Sequence, residues 1–105
     1  MKIFVIDQNG QEYELEALEG WRVMEIIRDY GLPIKAECGG ACCCATCHVY
    51  VDPAWVDKLY PMREDEEATL DEAPEIHDNS RLSCQILMEE KFDGLRVTLA
   101  PGSEP

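Results

Sequence analysis

The segment that decides the fold of this chain is rich in cysteine, and it reads Cys38-Gly39-Gly40-Ala41-Cys42-Cys43-Cys44-Ala45-Thr46-Cys47. Five of the six cysteines lie in these ten residues, and the sixth is Cys84. The remaining residues are glycine, alanine and threonine, which suits a loop wrapped closely around a bound group. So many thiols in one short loop indicate metal or redox chemistry.

The spacing of four of these cysteines predicts a 2Fe–2S cluster. The plant-type spacing for such a cluster is C-x4-C-x2-C, with a distant fourth cysteine. Cys43 would satisfy the first gap, but the second gap would then end at Thr46. Cys44 keeps the second gap and lengthens the first by one residue. The predicted ligands therefore have the register C-x5-C-x2-C-x36-C, and they are Cys38, Cys44, Cys47 and Cys84.

The loop also has the composition that a negatively charged cluster needs. Backbone N–H groups of Gly39, Gly40 and Ala41 can point inward at the sulfurs, as they do in an anion-binding nest. The number of these hydrogen bonds and the exposure of the site to solvent would then tune the reduction potential.

Three other interpretations of the cysteines compete with this one. A structural zinc module is the alternative from a different class, although structural zinc sites usually show two closely spaced ligand pairs. The run from Cys44 to His48 matches the C-x-x-C-H pattern of c-type haem attachment, which leaves the upstream cysteines unexplained. Buried structural thiols are the third, but five of them are too dense for a glycine-rich loop. An ultraviolet–visible spectrum separates the coloured cluster from colourless zinc.

The composition indicates a small acidic protein. The chain has 105 residues, 46% of them hydrophobic, and a formal net charge of −13. This size predicts a single domain over residues 1–105, with residues 100–105 as a C-terminal tail. A surface this acidic repels nucleic acid and anionic lipid and attracts basic protein surfaces. Neither a nucleic-acid nor a membrane-surface function is therefore expected.

The same sequence predicts a cytoplasmic monomer. No apolar run is long enough for a transmembrane helix. The apolar start of the chain breaks at Asp7 and lacks the length of a signal-peptide core. A cytoplasmic location, where thiols stay reduced, agrees with six cysteines that serve metal chemistry rather than disulfides.

Hydrophobic periodicity predicts an α+β chain with short strands and one main helix. The main helix lies between Gly20 and Gly31, with Val23, Ile26, Ile27 and Tyr30 on one face. A short helical stretch opens at Pro53, and an acidic helix covers Glu64–Glu72. The predicted strands are Ile3–Ile6, a segment around Tyr13 and Leu15, His48–Val51, Gln85–Met88 and Leu95–Leu99. This order suggests a grasp-type sheet packed on the main helix.

The cysteine segment and its flanks resemble the adrenodoxin and putidaredoxin type of 2Fe–2S ferredoxin, most closely its bacterial branch. The likeness extends over about residues 1–99 and is carried by Glu37-Cys38-Gly39-Gly40-Ala41-Cys42, by Cys44-Ala45-Thr46-Cys47-His48-Val49-Tyr50-Val51 and by Arg81-Leu82-Ser83-Cys84-Gln85. It implies the β-grasp ferredoxin fold, with a mixed sheet, one main helix and a cluster-binding loop. It also implies one 2Fe–2S cluster in an electron-transfer protein with no catalytic activity of its own.

The resemblance further implies partners and a docking surface. The partners would be a flavin-dependent ferredoxin reductase and a cytochrome P-450 monooxygenase, with service in iron–sulfur cluster assembly as the alternative. The acidic docking helix of the family matches Glu64–Glu72, which gives Glu64, Glu67, Asp71 and Glu72 as docking residues. His48 would be a buried, hydrogen-bonded core residue, and His77 a solvated loop residue.

Two positions depart from the family pattern. Cys43 stands where relatives usually have a small alanine or serine, so it is a second spare thiol beside Cys42. Arg22 replaces the usual hydroxyl cap of the first helix, and a weak first turn is expected there because a serine or threonine would cap it better.

Overall fold

Five strands form one mixed sheet in the computed structural model, which describes residues 1–32, 48–71 and 75–100. The strands are β1 (Lys2–Ile6), β2 (Glu12–Glu16), β3 (His48–Val51), β4 (Ser80–Leu82) and β5 (Leu95–Leu99), in the sheet order β2-β1-β5-β3-β4. Only the β1–β5 pair is parallel. The helices are α1 (Val23–Asp29), α2 (Pro53–Val56) and α3 (Glu64–Leu70), with 3₁₀ turns at Ser83–Gln85 and Glu90–Phe92. The predicted α+β arrangement, a mixed sheet packed on one main helix, is confirmed.

The first hairpin forms as the alternating pattern predicts. β1 and β2 are antiparallel, with Ile3 opposite Leu15. The carboxylate of Asp7 closes the turn by accepting hydrogen bonds from the backbone N–H groups of Asn9 (2.9 Å) and Gln11 (3.0 Å). Two otherwise unpaired donors of the turn are thereby satisfied, which is the usual role of aspartate in such turns.

Helix α1 begins at Val23 without a side-chain cap from Arg22, as the sequence suggests. The side chain of Glu25 accepts a hydrogen bond from the backbone N–H of Arg22 at 3.0 Å, which is half of a capping box. Arg22 makes no side-chain cap, as expected, and Glu25 supplies only the reciprocal bond of the box, so a weak first turn stays a prediction. The helix stops before Gly31, as predicted, because the φ of 74° at this glycine turns the chain away while its N–H donates to the carbonyl of Arg28 at 2.9 Å.

One predicted strand is wrong. Gln85–Met88 is not a strand; the chain instead forms β4 earlier, at Ser80–Leu82, and then a 3₁₀ turn. Beyond the turn, Leu87 makes a single β-bridge with Arg22. Burial alternates along this segment as it does in a strand, because Ile86 and Met88 are buried where the chain crosses the start of α1.

The buried side chains form one core between the sheet and α1. The four apolar residues of α1 facing it are Val23, Met24, Ile26 and Ile27. The strand residues that meet them include Ile3, Val5, Leu15, Val49, Val51, Leu82, Val97 and Leu99. In the part of the chain that the structure describes, no helix is long and apolar enough to cross a membrane.

Candidate iron–sulfur site

Cys84 lies in the 3₁₀ turn that directly follows β4. Its residue is only 1% exposed, so water has almost no access to it. The side-chain amide of Gln85 donates to Cys84 Sγ at 3.5 Å. A buried sulfur with an N–H donor beside it fits a thiolate that ligates a cluster, because such donors stabilise charge on the sulfur. The other predicted ligands and the two spare thiols lie outside the described residues: Cys38, Cys42, Cys43, Cys44 and Cys47.

His48 begins β3 on the neighbouring strand. It pairs in register with Leu82, two residues before Cys84, and it directly follows the predicted ligand Cys47 in the sequence. The ring is fully buried, and its Nε2 lies 2.7 Å from Ser80 Oγ. Burial, followed by repulsion from His77, lowers the pKa of His48 to about 4. The prediction of a buried, hydrogen-bonded core histidine is confirmed, and its ring is neutral at physiological pH.

His77 is exposed, as expected, but it is held in place. Its ring stacks on Tyr50 with centroids 4.5 Å apart and planes inclined by 17°. Its backbone N–H donates to Ser80 Oγ at 2.8 Å, the same hydroxyl that lies against His48. The Tyr50 hydroxyl donates to the carbonyl of Glu75 at 2.6 Å. These contacts fix the segment that leads into β4.

A buried ion pair joins α3 to β4. Glu66 is 2% exposed, and its carboxylate accepts from Arg81 Nε at 2.8 Å and Nη2 at 3.1 Å. The same carboxylate accepts from the backbone N–H of Leu82 at 3.0 Å. Arg81 Nη1 also donates to the carbonyl of Tyr60 at 2.9 Å. The pair therefore positions β4 immediately before Cys84.

This ion pair was not anticipated from the sequence. One signal was present, because Glu66 lies four residues before Leu70 and therefore shares the helix face of that apolar residue. A carboxylate on an apolar face needs a charged partner. The sequence does not reveal that Arg81 is that partner, since the pairing depends on how α3 crosses β4.

The acidic docking face predicted on α3 is partly within the described residues. Glu64, Glu67 and Asp71 are exposed, and none of the three makes an ion pair with a described residue. Helix α3 ends at Leu70 with Asp71 as its C-terminal cap, so the predicted end at Glu72 is wrong by two residues. Glu72 itself lies outside the described residues.

No cluster of three or more His, Cys, Asp or Glu side chains that could hold a metal ion occurs among residues 1–32, 48–71 and 75–100. Among the predicted ligands, the described residues thus contribute Cys84 alone. Its burial, the amide at its sulfur and the fixed strand before it are consistent with its predicted role.

The sequence is similar to a large set of known proteins. A family model described as "2Fe-2S iron-sulfur cluster binding domain" matches residues 6–89. The chain is 40% identical over 99 residues to the mitochondrial adrenodoxin homolog of Saccharomyces cerevisiae, covering 94% of this chain and 58% of that protein. It is 42% identical over 103 residues to the 2Fe-2S ferredoxin CtmE of Castellaniella defragrans, covering 96% of each.

Solved structures agree with the sequence relatives. Reduced putidaredoxin from Pseudomonas putida, in a variant form, superimposes with a TM-score of 0.94 at 35% identity, covering 98% of this chain and 99% of the other. Putidaredoxin in a covalent complex with putidaredoxin reductase matches with a TM-score of 0.87 at 36% identity, covering 94% and 97% of the two chains. The comparison by sequence and the comparison by backbone thus find the same kind of protein, and the likeness of the backbones confirms the predicted β-grasp fold.

Proposed function

Because this chain belongs to the 2Fe–2S ferredoxins, we propose that it takes single electrons from a flavin-dependent ferredoxin reductase and delivers them to a cytochrome P-450 monooxygenase. It is an electron carrier with one 2Fe–2S cluster, not an enzyme. The destination of the electron is inferred from the adrenodoxin and putidaredoxin likeness. Service in cluster assembly is the competing destination.

The proposed ligands are Cys38, Cys44, Cys47 and Cys84, and the observation that supports them best is the buried position of Cys84. When bound, the cluster accepts and releases one electron. The protein keeps water from Cys84, and the Gln85 amide offers a hydrogen bond that favours added negative charge at the sulfur. The Glu66–Arg81 pair holds the strand that leads to this cysteine.

The spare thiols test the chosen register. Cys42→Ala and Cys43→Ser should each keep the visible spectrum, because neither residue fits the C-x5-C-x2-C spacing. In Cys44→Ala, the adjacent Cys43 would be a poor substitute ligand, so partial and labile loading is expected. The measurement is visible absorption with iron content after aerobic purification. Loss of the cluster in Cys43→Ser would show that Cys43 is a ligand.

The reductase is proposed to dock on the acidic face formed by Glu64, Glu67, Asp71 and Glu72. The exposure of the first three residues supports this surface, and the related putidaredoxin is known in a complex with a reductase. A basic surface is steered toward such a patch, which raises association rates by about 10- to 1,000-fold.

We also propose that residues 1–105 act as a single domain and that the protein is a cytoplasmic monomer.

Neutralising this face should slow partner association. Glu67→Gln with Asp71→Asn should lower the rate of reduction by putidaredoxin reductase about 10-fold at low salt, because two of the steering charges are lost. The difference from the parent should shrink as salt rises, since the Debye length falls from about 10 Å at 0.1 M to about 3 Å at 1 M. Stopped-flow reduction of the cluster at several ionic strengths measures both effects.

The control for this experiment is Glu19→Gln with Asp29→Asn, which removes two exposed carboxylates from the α1 side of the molecule. The control has the same net charge as the double variant, so it separates the local patch from the overall charge. Equal rates for the two double variants at low salt would contradict docking on α3.

A further inference from the structure

A cavity of about 270 Å³ opens beside Cys84. Three of the nine basic residues of this acidic chain line it. They are Arg22, Arg63 and Arg81.

Two of these arginines carry a positive charge that no ion pair within the described residues neutralises. Arg81 is neutralised by Glu66. The guanidinium groups of Arg22 and Arg63 make no ion pair or hydrogen bond with any residue in the described part of the chain. Glu89, the other carboxylate of the cavity wall, accepts a hydrogen bond from the Tyr60 hydroxyl at 3.3 Å.

The position of Arg22 in the cavity wall is fixed by its backbone. Its N–H is bonded to Glu25, and its backbone forms the β-bridge with Leu87. The side chain is half-buried, whereas Arg63 is exposed. Other basic residues of the described chain, such as Arg28, also lack an ion pair, but Arg22 and Arg63 differ from Arg28 in lining one cavity together with Cys84.

Exposed apolar side chains border the two arginines. Tyr60 and Leu87 line the cavity and are 56% and 51% exposed. Trp21, next to Arg22 in the chain, is 39% exposed. Tryptophan, tyrosine and arginine are the residues most enriched in the energetic centres of protein interfaces.

We propose that this cavity, the Arg22–Arg63 cavity, receives a carboxylate side chain of a protein partner that exchanges electrons through Cys84. The inference rests on the proposed function, since it requires an electron-transfer partner. Arg63 directly precedes Glu64, the first residue of the acidic face, so positive and negative docking points are adjacent. A partner with a basic patch beside one carboxylate can contact the acidic face and the Arg22–Arg63 cavity at the same time in only one orientation. Charge complementarity of this kind sets the register of an interface.

The test compares Arg22→Gln and Arg63→Gln with Arg28→Gln. Arg28 is exposed near the end of α1 and has no ion-pair partner among the described residues, so all three variants change the net charge equally. Without a docking role, a more negative protein should be reduced by a basic partner at the same rate or faster. With a docking role, Arg22→Gln and Arg63→Gln should each be reduced about 10-fold more slowly by putidaredoxin reductase, while Arg28→Gln is not slowed.

A second readout needs no protein partner. The reduced variants are oxidised by anionic hexacyanoferrate(III) or by cationic hexaamminecobalt(III), with one electron passing from the cluster to each metal complex. Loss of a positive charge from the cavity beside Cys84 should make the protein a stronger reductant, which favours both reactions. Oxidation by hexacyanoferrate(III) should nevertheless slow in Arg22→Gln and Arg63→Gln, because its docking site is weakened. Oxidation by hexaamminecobalt(III) should not slow.

The outcomes separate this inference from the proposed function. If putidaredoxin reductase fails to reduce even the parent protein, that reductase pairing is contradicted and the small oxidants still test the cavity. If Arg22→Gln and Arg63→Gln match Arg28→Gln with the reductase and with both oxidants, the cavity has no docking role. If only hexacyanoferrate(III) responds while the reductase acts equally on all variants, the cavity binds small anions and the inference about a partner carboxylate is overturned.

Discussion

Replacement of Cys84 by alanine is expected to leave the protein without a stable cluster. The remaining three thiolates would leave one iron three-coordinate, because alanine at position 84 offers no ligand atom. The purified variant should be colourless, with iron and acid-labile sulfide far below the two atoms of each that the parent should carry. Ultraviolet–visible absorption and iron and sulfide assays measure this loss.

Cys42→Ala is the matched control, because it removes the same sulfur from a cysteine outside the predicted register. Cys38→Ala and Cys47→Ala should behave like Cys84→Ala. A Cys84→Ala protein that is stable and fully loaded would contradict the ligand assignment.

Removing the carboxylate of Glu66 is expected to destabilise the fold strongly. Glu66→Ala leaves the guanidinium of Arg81, only 14% exposed in its side chain, without its counter-ion and leaves the N–H of Leu82 without its acceptor. Breaking a buried pair in this way typically lowers the free energy of unfolding by about 3–5 kcal/mol. For a domain of this size, the thermal midpoint should fall by more than about 10 °C. Thermal unfolding followed by circular dichroism measures the shift.

Glu67→Ala is the control, since Glu67 is the exposed neighbour on the same helix. It should change the free energy of unfolding by no more than about 0.5 kcal/mol. The double variant Glu66→Leu/Arg81→Leu should recover much of the loss, because no charge then remains buried. Equal midpoints for Glu66→Ala and Glu67→Ala would show that the pair contributes little to stability.

The elements that the sequence predicts best are those with a local physical signal. The β1–β2 hairpin follows from alternation around Tyr13 and Leu15 and from a turn that Asp7 closes. Helix α1 follows from its apolar face and from Gly31 at its end. Each of these signals is contained within about a dozen neighbouring residues, so no tertiary contact is needed to read it.

The errors arise where burial comes from distant contacts. The segment Gln85–Met88 alternates like a strand, but its burial is imposed by the start of α1, and only Leu87 makes a bridge. Strand β4 was missed because Ser80–Leu82 is too short to show a period, and its position depends on pairing with β3. The burial of Glu66 depends likewise on Arg81, fifteen residues away.

The features of the site also differ in whether the sequence alone reveals them. The ligand register could be derived from spacing alone, and the burial of Cys84 agrees with it. The Arg22–Arg63 cavity could not be foreseen, because its two arginines are 41 positions apart in the sequence and meet only through the fold.

The position of β5 has a consequence for how this protein matures on the ribosome. Leu95–Leu99 is the last strand in chain order among the described residues, yet it lies between β1 and β3 and pairs with both. Until residue 99 has been synthesised, the β1–β2 hairpin and the β3–β4 pair have no strand to join them. A nascent chain therefore holds two incomplete halves with unpaired edges, and strand pairings of this long range form slowly. The sheet whose β4 strand leads into Cys84 is consequently completed only after translation has passed this strand.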